Sequence, residues 1–326
     1  MLPIAIDAMG GDHAPGAIVE GAQRAAAELG VPVMLVGRPD DVDPLRGDLE
    51  LVAASQVIGM DDDPGSSVRT MKDSSLVRAA EAVRDGRASA MVSAGNTGAS
   101  MASALLRMGR IKGVARPAIA TPIPVPGSTP TVLLDAGANA ECQPQWLVQF
   151  ALMGAVFSRE RYGIAEPRVG LLSIGEESTK GNPLVKEAHA LLVEAGALDR
   201  AGASFVGNVE GRDIMTSAVD VVVTDGFTGN VALKTLEGGM RSLVTAVIEG
   251  LSATDVADTA LGALLPLYNT LDPDRTGGAM LLGVDGVCII SHGSSSATAI
   301  VNAARVAGEM VEADIVERLR SAIAAA

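Results

Sequence analysis

IAIDAMGGDHAPG (4–16) runs from an apolar stretch through a carboxylate into paired glycines, and then into a helical pattern at 15–29. Apolar residues at consecutive positions suit a strand covered on both faces. The same succession recurs in MVSAGNTGAS (91–100), VLLDAGAN (132–139), VGLLSIGEESTKGN (169–182), VVVTDGFTGN (221–230) and CIISHGSSSA (288–297). Each carries Asn, Asp, Thr or Ser where a helix should begin. Strand ends that feed helix N-termini offer backbone N–H groups and positive dipole ends, which suits an anion. The pattern implies an α/β enzyme that handles phosphate.

Strand-like runs at 4–9, 33–37, 89–93, 118–125, 131–136, 168–174, 203–207, 219–224 and 286–291 alternate with helical patterns at 15–29, 74–85, 97–108, 144–160 and 184–195. This alternation predicts a mainly parallel sheet with helices on both faces. After Asn230 the rhythm changes. The stretches 231–251 and about 255–271 read as two long helices, either a protruding pair that makes a dimer contact or lid, or a packing layer. A last amphipathic helix is expected over 295–323, and Pro-rich 117–130 reads as an ordered loop. The expectation is one catalytic unit over 1–326, with the helical pair of about 231–275 within it.

The chain has 326 residues, 48% of them hydrophobic, with four Phe, two Tyr and one Trp. Its core must therefore be built from small aliphatic side chains, with helices lying close to the sheet. So few aromatics argue against a surface for stacking bases, and a net charge of −14 gives no general attraction to nucleic acid or an anionic membrane. No signal peptide or membrane-length apolar run is read, which predicts a cytoplasmic protein, at most peripheral to a membrane. Cys142 and Cys288 lie far apart without metal-ligand spacing and read as core residues.

There is no G-x-G-x-x-G, Walker P-loop, G-x-S-x-G or H-E-x-x-H sequence. Dinucleotide binding, P-loop ATP hydrolysis and a serine acyl-enzyme lose support. Of 25 basic residues only Lys72, Lys112, Lys180, Lys186 and Lys234 are lysines. Lys180 and Lys186 flank a predicted helix start at Gly181 and Asn182, where they either hold a phosphate or simply solvate the loop. His13 and His292 sit in strand-to-helix turns, while His189 falls inside a helix. If the strand ends share one edge, His13 and His292 face a cleft with Asp7, Asn96, Asn139 and Asp225; otherwise these residues only cap their turns. Gly10, Gly11, Gly95, Gly98, Gly226 and Gly229 serve tight turns or close ligand approach. Asp7, Asp12 and Asp225 lack metal-ligand spacing, so no metal is expected. LLRMGRIKGVAR (105–116) collects Arg107, Arg110, Lys112 and Arg116 without an acid, and reads as a dock for an acidic partner or as a solvated helix end.

Together, DAMGGDHAP (7–15), SAGNTGA (93–99), RIKGVARPA (110–118), LLDAGAN (133–139), LVQFALMG (147–154), GEESTKGN (175–182), GNVEGRD (207–213), VVVTDGFTGNVALKTLEG (221–238) and GGAMLLGVDGVCIISHGSS (277–295) resemble the bacterial PlsX family, acyl-acyl carrier protein:phosphate acyltransferases of phospholipid synthesis. The resemblance implies an isopropylmalate/isocitrate dehydrogenase-like fold, a homodimer and no organic cofactor. It also implies transfer of a long-chain acyl group from acyl carrier protein to inorganic phosphate, with hand-over of the acyl phosphate to a membrane glycerol-3-phosphate acyltransferase. In that reaction Lys180 or Lys186, with N–H groups around Gly181 and Asn182, would hold phosphate, and Asn96, Asn230 or His13 would stabilise the oxyanion. Asp225 is a further catalytic candidate. Asp7, Gly10, Gly11, Thr97, Gly98, Asn139, Gly226, Gly229, His292 and Ser294 would complete the substrate site. A phosphotransacetylase-like enzyme using acyl-coenzyme A and a non-catalytic carrier-binding scaffold remain alternatives. Leu261, Leu264, Leu265, Leu267 and Tyr268 read as a hydrophobic foot on a membrane or as part of a dimer interface.

Overall fold

The computed structural model describes residues 1–252 and 254–325. In chain order the elements are β1 (Ile4–Asp7), α1 (Gly16–Leu29), β2 (Val33–Gly37), α2 (Pro39–Val42), β3 (Glu50–Ala53), α3 (Pro64–Thr70), α4 (Ser75–Arg84), β4 (Ala90–Ser93) and α5 (Thr97–Arg107). There follow β5 (Ala118–Ile123), β6 (Thr131–Leu134), α6 (Pro144–Tyr162), β7 (Arg168–Leu172), α7 (Pro183–Ala195), α8 (Ala197–Arg200), β8 (Ser204–Val209) and β9 (Val221–Val223). The last are α9 (Gly226–Ser252), α10 (Ala257–Leu271), α11 (Pro273–Thr276), β10 (Ala279–Leu282), β11 (Val287–Ile290), α12 (Ala297–Glu312) and α13 (Ile315–Ala325).

All these strands join one sheet in the order β3-β2-β1-β4-β11-β10-β5-β6-β9-β7-β8. Alternate side chains of the central strands enter different cores, as a pleated strand covered twice must do. Ile4 and Ile6 join Phe150, Phe157 and Ile300 on one face, whereas Ala5 joins Met34, Met91 and Leu76 on the other. Scarce aromatics are offset by close approach: a Cβ on Gly154 of α6 would lie 2.7 Å from Val221 Cγ1 of β9. The expected α/β sheet with helices on both faces is present.

The strand ends do not all share one edge of the sheet. The pairings are parallel from β3 to β11 and again from β6 to β8, but β11–β10, β10–β5 and β5–β6 are antiparallel. Three reversals leave the two parallel sets running oppositely along the ladder. No single run of parallel strands therefore carries Asp7, Asn96 and His292 together with Asn139 and Asp225. Instead α9 links the two sets of turns. It starts at Gly226 rather than near 231, because Asp225 caps it: Oδ1 accepts from Thr228 N and Oδ2 from Thr228 Oγ1, both at 2.8 Å.

Two further readings change. The Pro-rich stretch is half strand, β5, and the closing helix is two helices, broken at Asp314 with φ 52°. The helical pair is confirmed as α9 and α10, which leave the body with little cover. Only Gly226 and Gly229 of α9, and no residue of α10, are buried. Leu243, Val247, Leu265 and Leu267 are exposed.

Candidate functional site

The β1, β4 and β11 turns pack glycine to glycine. A Cβ on Gly10 would lie 2.7 Å from Gly95 N and 2.7 Å from Asp7 Oδ2, so only glycine fits between the first two turns. Gly11 approaches Gly293 O in the same way, and Gly98 packs on Pro64. Asp7 is the buried anchor, accepting from Ser93 Oγ at 2.8 Å and Met9 N at 3.2 Å. Burial raises its carboxyl above the ordinary 3.8, opposed by bonds from Ser75, Ser93 and Met9.

Because folding raises this value, the stability contributed by Asp7 is fully present below pH 3.8 and is lost as pH rises through the folded value. An amide keeps the shape without the charge and can donate to Ser93 Oγ. Asp7→Asn is therefore expected to gain in Tm relative to the parent as pH rises above 3.8, by calorimetric melting. A difference that stays constant as pH rises would refute this account.

Asn96 was expected to donate to an oxyanion, but its amide is already committed. Its Oδ1 caps α5 through Ala99 N at 3.0 Å, while Nδ2 faces the carbonyls of Gly59, Met60 and Asp62 at 3.0–3.3 Å. Both amide hydrogens hold the 59–62 loop, so Asn96 positions the α5 start. Thr97 is exposed, and so is His13, whose ring makes no hydrogen bond among the described residues.

The second set of turns centres on a residue the sequence reading passed over. Asp135, fully buried, accepts from the N–H groups of Ile119, Gly137, Ala138 and Asn139 and from Asn139 Nδ2, at 2.7–3.2 Å. Burial raises its carboxyl above the ordinary range despite these donors. Asn139 is spent on this scaffold, since Nδ2 also donates to Pro117 O and its carbonyl accepts from Gly226 N. Gly229 lies directly on the Asp135 backbone. Asn230 follows, its side chain exposed beside Gly137.

At the start of α7, Asn182 Oδ1 accepts from Val185 N at 2.9 Å and Pro183 occupies the first turn. Gly181 takes a φ of +99° there. Lys180 and Lys186 are exposed on either side, with no hydrogen bond or ion pair to their ammonium groups among the described residues. Asn182 borders an open cavity of 430 Å³ with Asp225, Phe227, Thr228, Leu184 and Cys142. Cys142 is thus only half-buried, and burial pushes its thiol up to about 12. Cys288 is in the core as expected.

A second cavity of 430 Å³ opens between α9, α10 and the β11–α12 turn. Asn230, Lys234, Glu237, Arg241, Val244 and Ile248 recur at three- and four-residue steps, so they form one stripe along α9. The stripe is polar near the body and apolar toward the tip. Glu237, Arg241, Val244 and Ile248 line this cavity with Tyr268, Leu271, His292 and Ser294. Lys234 Nζ contacts Glu237 Oε2 at 2.8 Å and His292 Nε2 at 3.1 Å, joining the helix to the β11 turn. The lysine count had flagged Lys234, yet only its helical spacing from Asn230 would have placed it here.

His189 is a packing residue, bonded to Asn208 Oδ1 at 3.0 Å and edge-on to Phe205. Of the expected dock, Arg110, Lys112 and Arg116 are exposed, Arg116 over the Trp146 ring. Arg107 departs from it: the side chain is only 21% accessible and turns to Glu81 at 3.7 Å. Among the described residues no group of three or more His, Cys, Asp or Glu could hold a metal, and no helix is long and apolar enough to cross a membrane.

The family described as fatty acid synthesis protein matches residues 2–318. The phosphate acyltransferase of Heliobacterium modesticaldum is 50% identical, covering 98% of this chain and 97% of its own. That of Leptospira biflexa is 45% identical over 97% and 95%. Among solved structures, a phosphotransacetylase from Streptococcus pyogenes superposes with a TM-score of 0.66 at 16% identity, over 97% of this chain and 94% of its own. A 4-hydroxythreonine-4-phosphate dehydrogenase from Klebsiella pneumoniae gives 0.51 at 14%, over 95% and 98%. These last two are likenesses of fold.

Proposed function

Since the chain belongs to the fatty acid synthesis protein family, whose curated relatives are phosphate acyltransferases, we infer that it transfers an acyl group from a thioester to inorganic phosphate. The observation that carries the reading at the level of the site is the polar-to-apolar stripe of α9 along a 430 Å³ cavity. An acyl chain lies toward Val244 and Ile248, and its reactive carbonyl lies at the polar root. The free ammonium groups of Lys180 and Lys186, beside the N–H groups of Gly181 and Asn182, receive phosphate. Asn230, on the root of α9, is the remaining donor from the expected set.

Phosphate is already an anionic nucleophile near neutral pH, and a thiolate leaves readily. Positioning and charge compensation therefore dominate over proton transfer. The acyl donor in this reading is acyl carrier protein, an acidic partner for exposed Arg110, Lys112 and Arg116. The uncovered apolar residues of α9 and α10 provide the homodimer contact or a peripheral foothold on a membrane. There the acyl phosphate passes to a membrane glycerol-3-phosphate acyltransferase.

The test is to incubate the protein with palmitoyl-acyl carrier protein or palmitoyl-coenzyme A, with and without phosphate. Free thiol is followed while acyl phosphate is trapped as its hydroxamate. Phosphate-dependent thiol release with equal hydroxamate, faster from the carrier, is expected. Release without phosphate would refute transfer to phosphate, and preference for the coenzyme would refute the carrier as donor.

A further inference from the structure

The contacts around His292 fix which atoms carry hydrogen. Lys234 is held by Glu237 at 2.8 Å, and an ammonium can only donate. His292 Nε2, 3.1 Å from Lys234 Nζ, must therefore accept, which leaves the ring hydrogen on Nδ1. Nδ1 lies 3.0 Å from Ser294 Oγ and 3.4 Å from Ser294 N. The two contacts ask opposite things of Nδ1. The shorter is the hydrogen bond, because a ring already accepting at Nε2 donates at Nδ1, and 3.4 Å is long for an N–H donor. Ser294 Oγ thus accepts from the ring, and its own hydrogen is free to turn into the cavity that Ser294 lines.

We propose that the Ser294 hydroxyl donates to the thioester carbonyl oxygen as negative charge develops there, with His292 and Lys234 as positioning residues. This rests on the acyl-transfer reading above. A phosphate oxygen attacks the carbonyl carbon and forms the new C–O bond, while the carbonyl π pair moves onto oxygen opposite Ser294 Oγ–H. Collapse restores the carbonyl and breaks the C–S bond. The electron pair leaves with sulfur, and the thiolate takes a proton from water. The same hydrogen-bond direction forbids the alternative in which His292 deprotonates Ser294 to make it a nucleophile, because Nδ1 has no free lone pair.

Two measurements test this. The chain contains three histidines, so the ¹⁵N spectrum of the imidazoles is assignable through His292→Asn. His292 is expected as the Nδ1-protonated tautomer in the parent and in Lys234→Arg, moving toward Nε2 in Lys234→Met. In turnover, Ser294→Ala is expected to lose about 100-fold in kcat with an unchanged KM for phosphate, and Ser294→Thr to recover most of it. An Nε2-protonated ring in the parent, or a Ser294→Ala enzyme as fast as the parent, would overturn the assignment. If the parent itself releases no thiol in phosphate, both this assignment and the acyl-transfer reading fall; a working parent with an unaffected Ser294→Ala removes only the former.

Discussion

Gly229→Ala is expected to cost about 4 kcal/mol or more, or about 6 °C in Tm, and to abolish detectable turnover. The added methyl would stand 1.9 Å from the Asp135 carbonyl oxygen and 3.1 Å from Thr224 Cγ2. Overpacking usually costs about 1–3 kcal/mol because flexible side chains give way. Here the obstacle is backbone, and the Asp135 side chain is held by five hydrogen bonds from Ile119, Gly137, Ala138 and Asn139. The start of α9 would have to lift from the turn after β6, carrying Asn230 and Lys234 with it. At Gly238 of the same helix a Cβ would meet no described atom within 4 Å beyond its chain neighbours and the helix's own backbone, so Gly238→Ala should be neutral or stabilising by up to about 1 kcal/mol. Equal melting temperatures for the two variants would show that the contact at Gly229 does not organise the helix.

The second large effect belongs to the lysines. Lys186→Met and Lys180→Met are each expected to lower kcat/KM for phosphate about 100-fold, and the double variant by more. Both ammonium groups stand in solvent without a partner among the described residues, so their loss should shift stability by no more than about 0.5 kcal/mol. A fall in turnover without a fall in Tm is the signature of a charge kept for a ligand. Unchanged steady-state kinetics in both single variants would remove phosphate from this end of α7.

Much of this was legible because the chemistry is local. Strand-terminal Asp7, the cap Asn182 and the lysines beside it announce themselves within a few residues. Direction in the sheet does not, since the runs at 118–123 and 131–134 look alike whichever way they pair, and AMLL at 279–282, four residues after the helical pair, is too short to be read as a strand at all. The three antiparallel steps were invisible for those reasons. β3, half-exposed with the sequence ELVA, gave too weak a pattern to be seen. GFTGN reads as a turn until Asp225 is seen to cap it, which hid the first turn of α9. Asp135 lies in LLDAGAN (133–139), where a lone carboxylate ahead of AGAN is a sufficient hint of a backbone-binding anchor. That the side-chain amide hydrogens of Asn96 and Asn139 would be committed needed their partners from 59–62 and Pro117, distant in sequence.

The seating of α9 also divides it mechanically. The helix is one rod of 27 residues, about 40 Å long, held to the body from Gly229, which meets the Asp135 carbonyl, to Leu233 and Leu236, which pack against the core. Lys234 lies inside this held stretch, whereas Ser252 lies about 24 Å beyond Leu236. The outer helix is a cantilever: a load on its far end bends the part beyond Leu236, where no residue is buried, and leaves the 3.1 Å contact of Lys234 with His292 seated on the body.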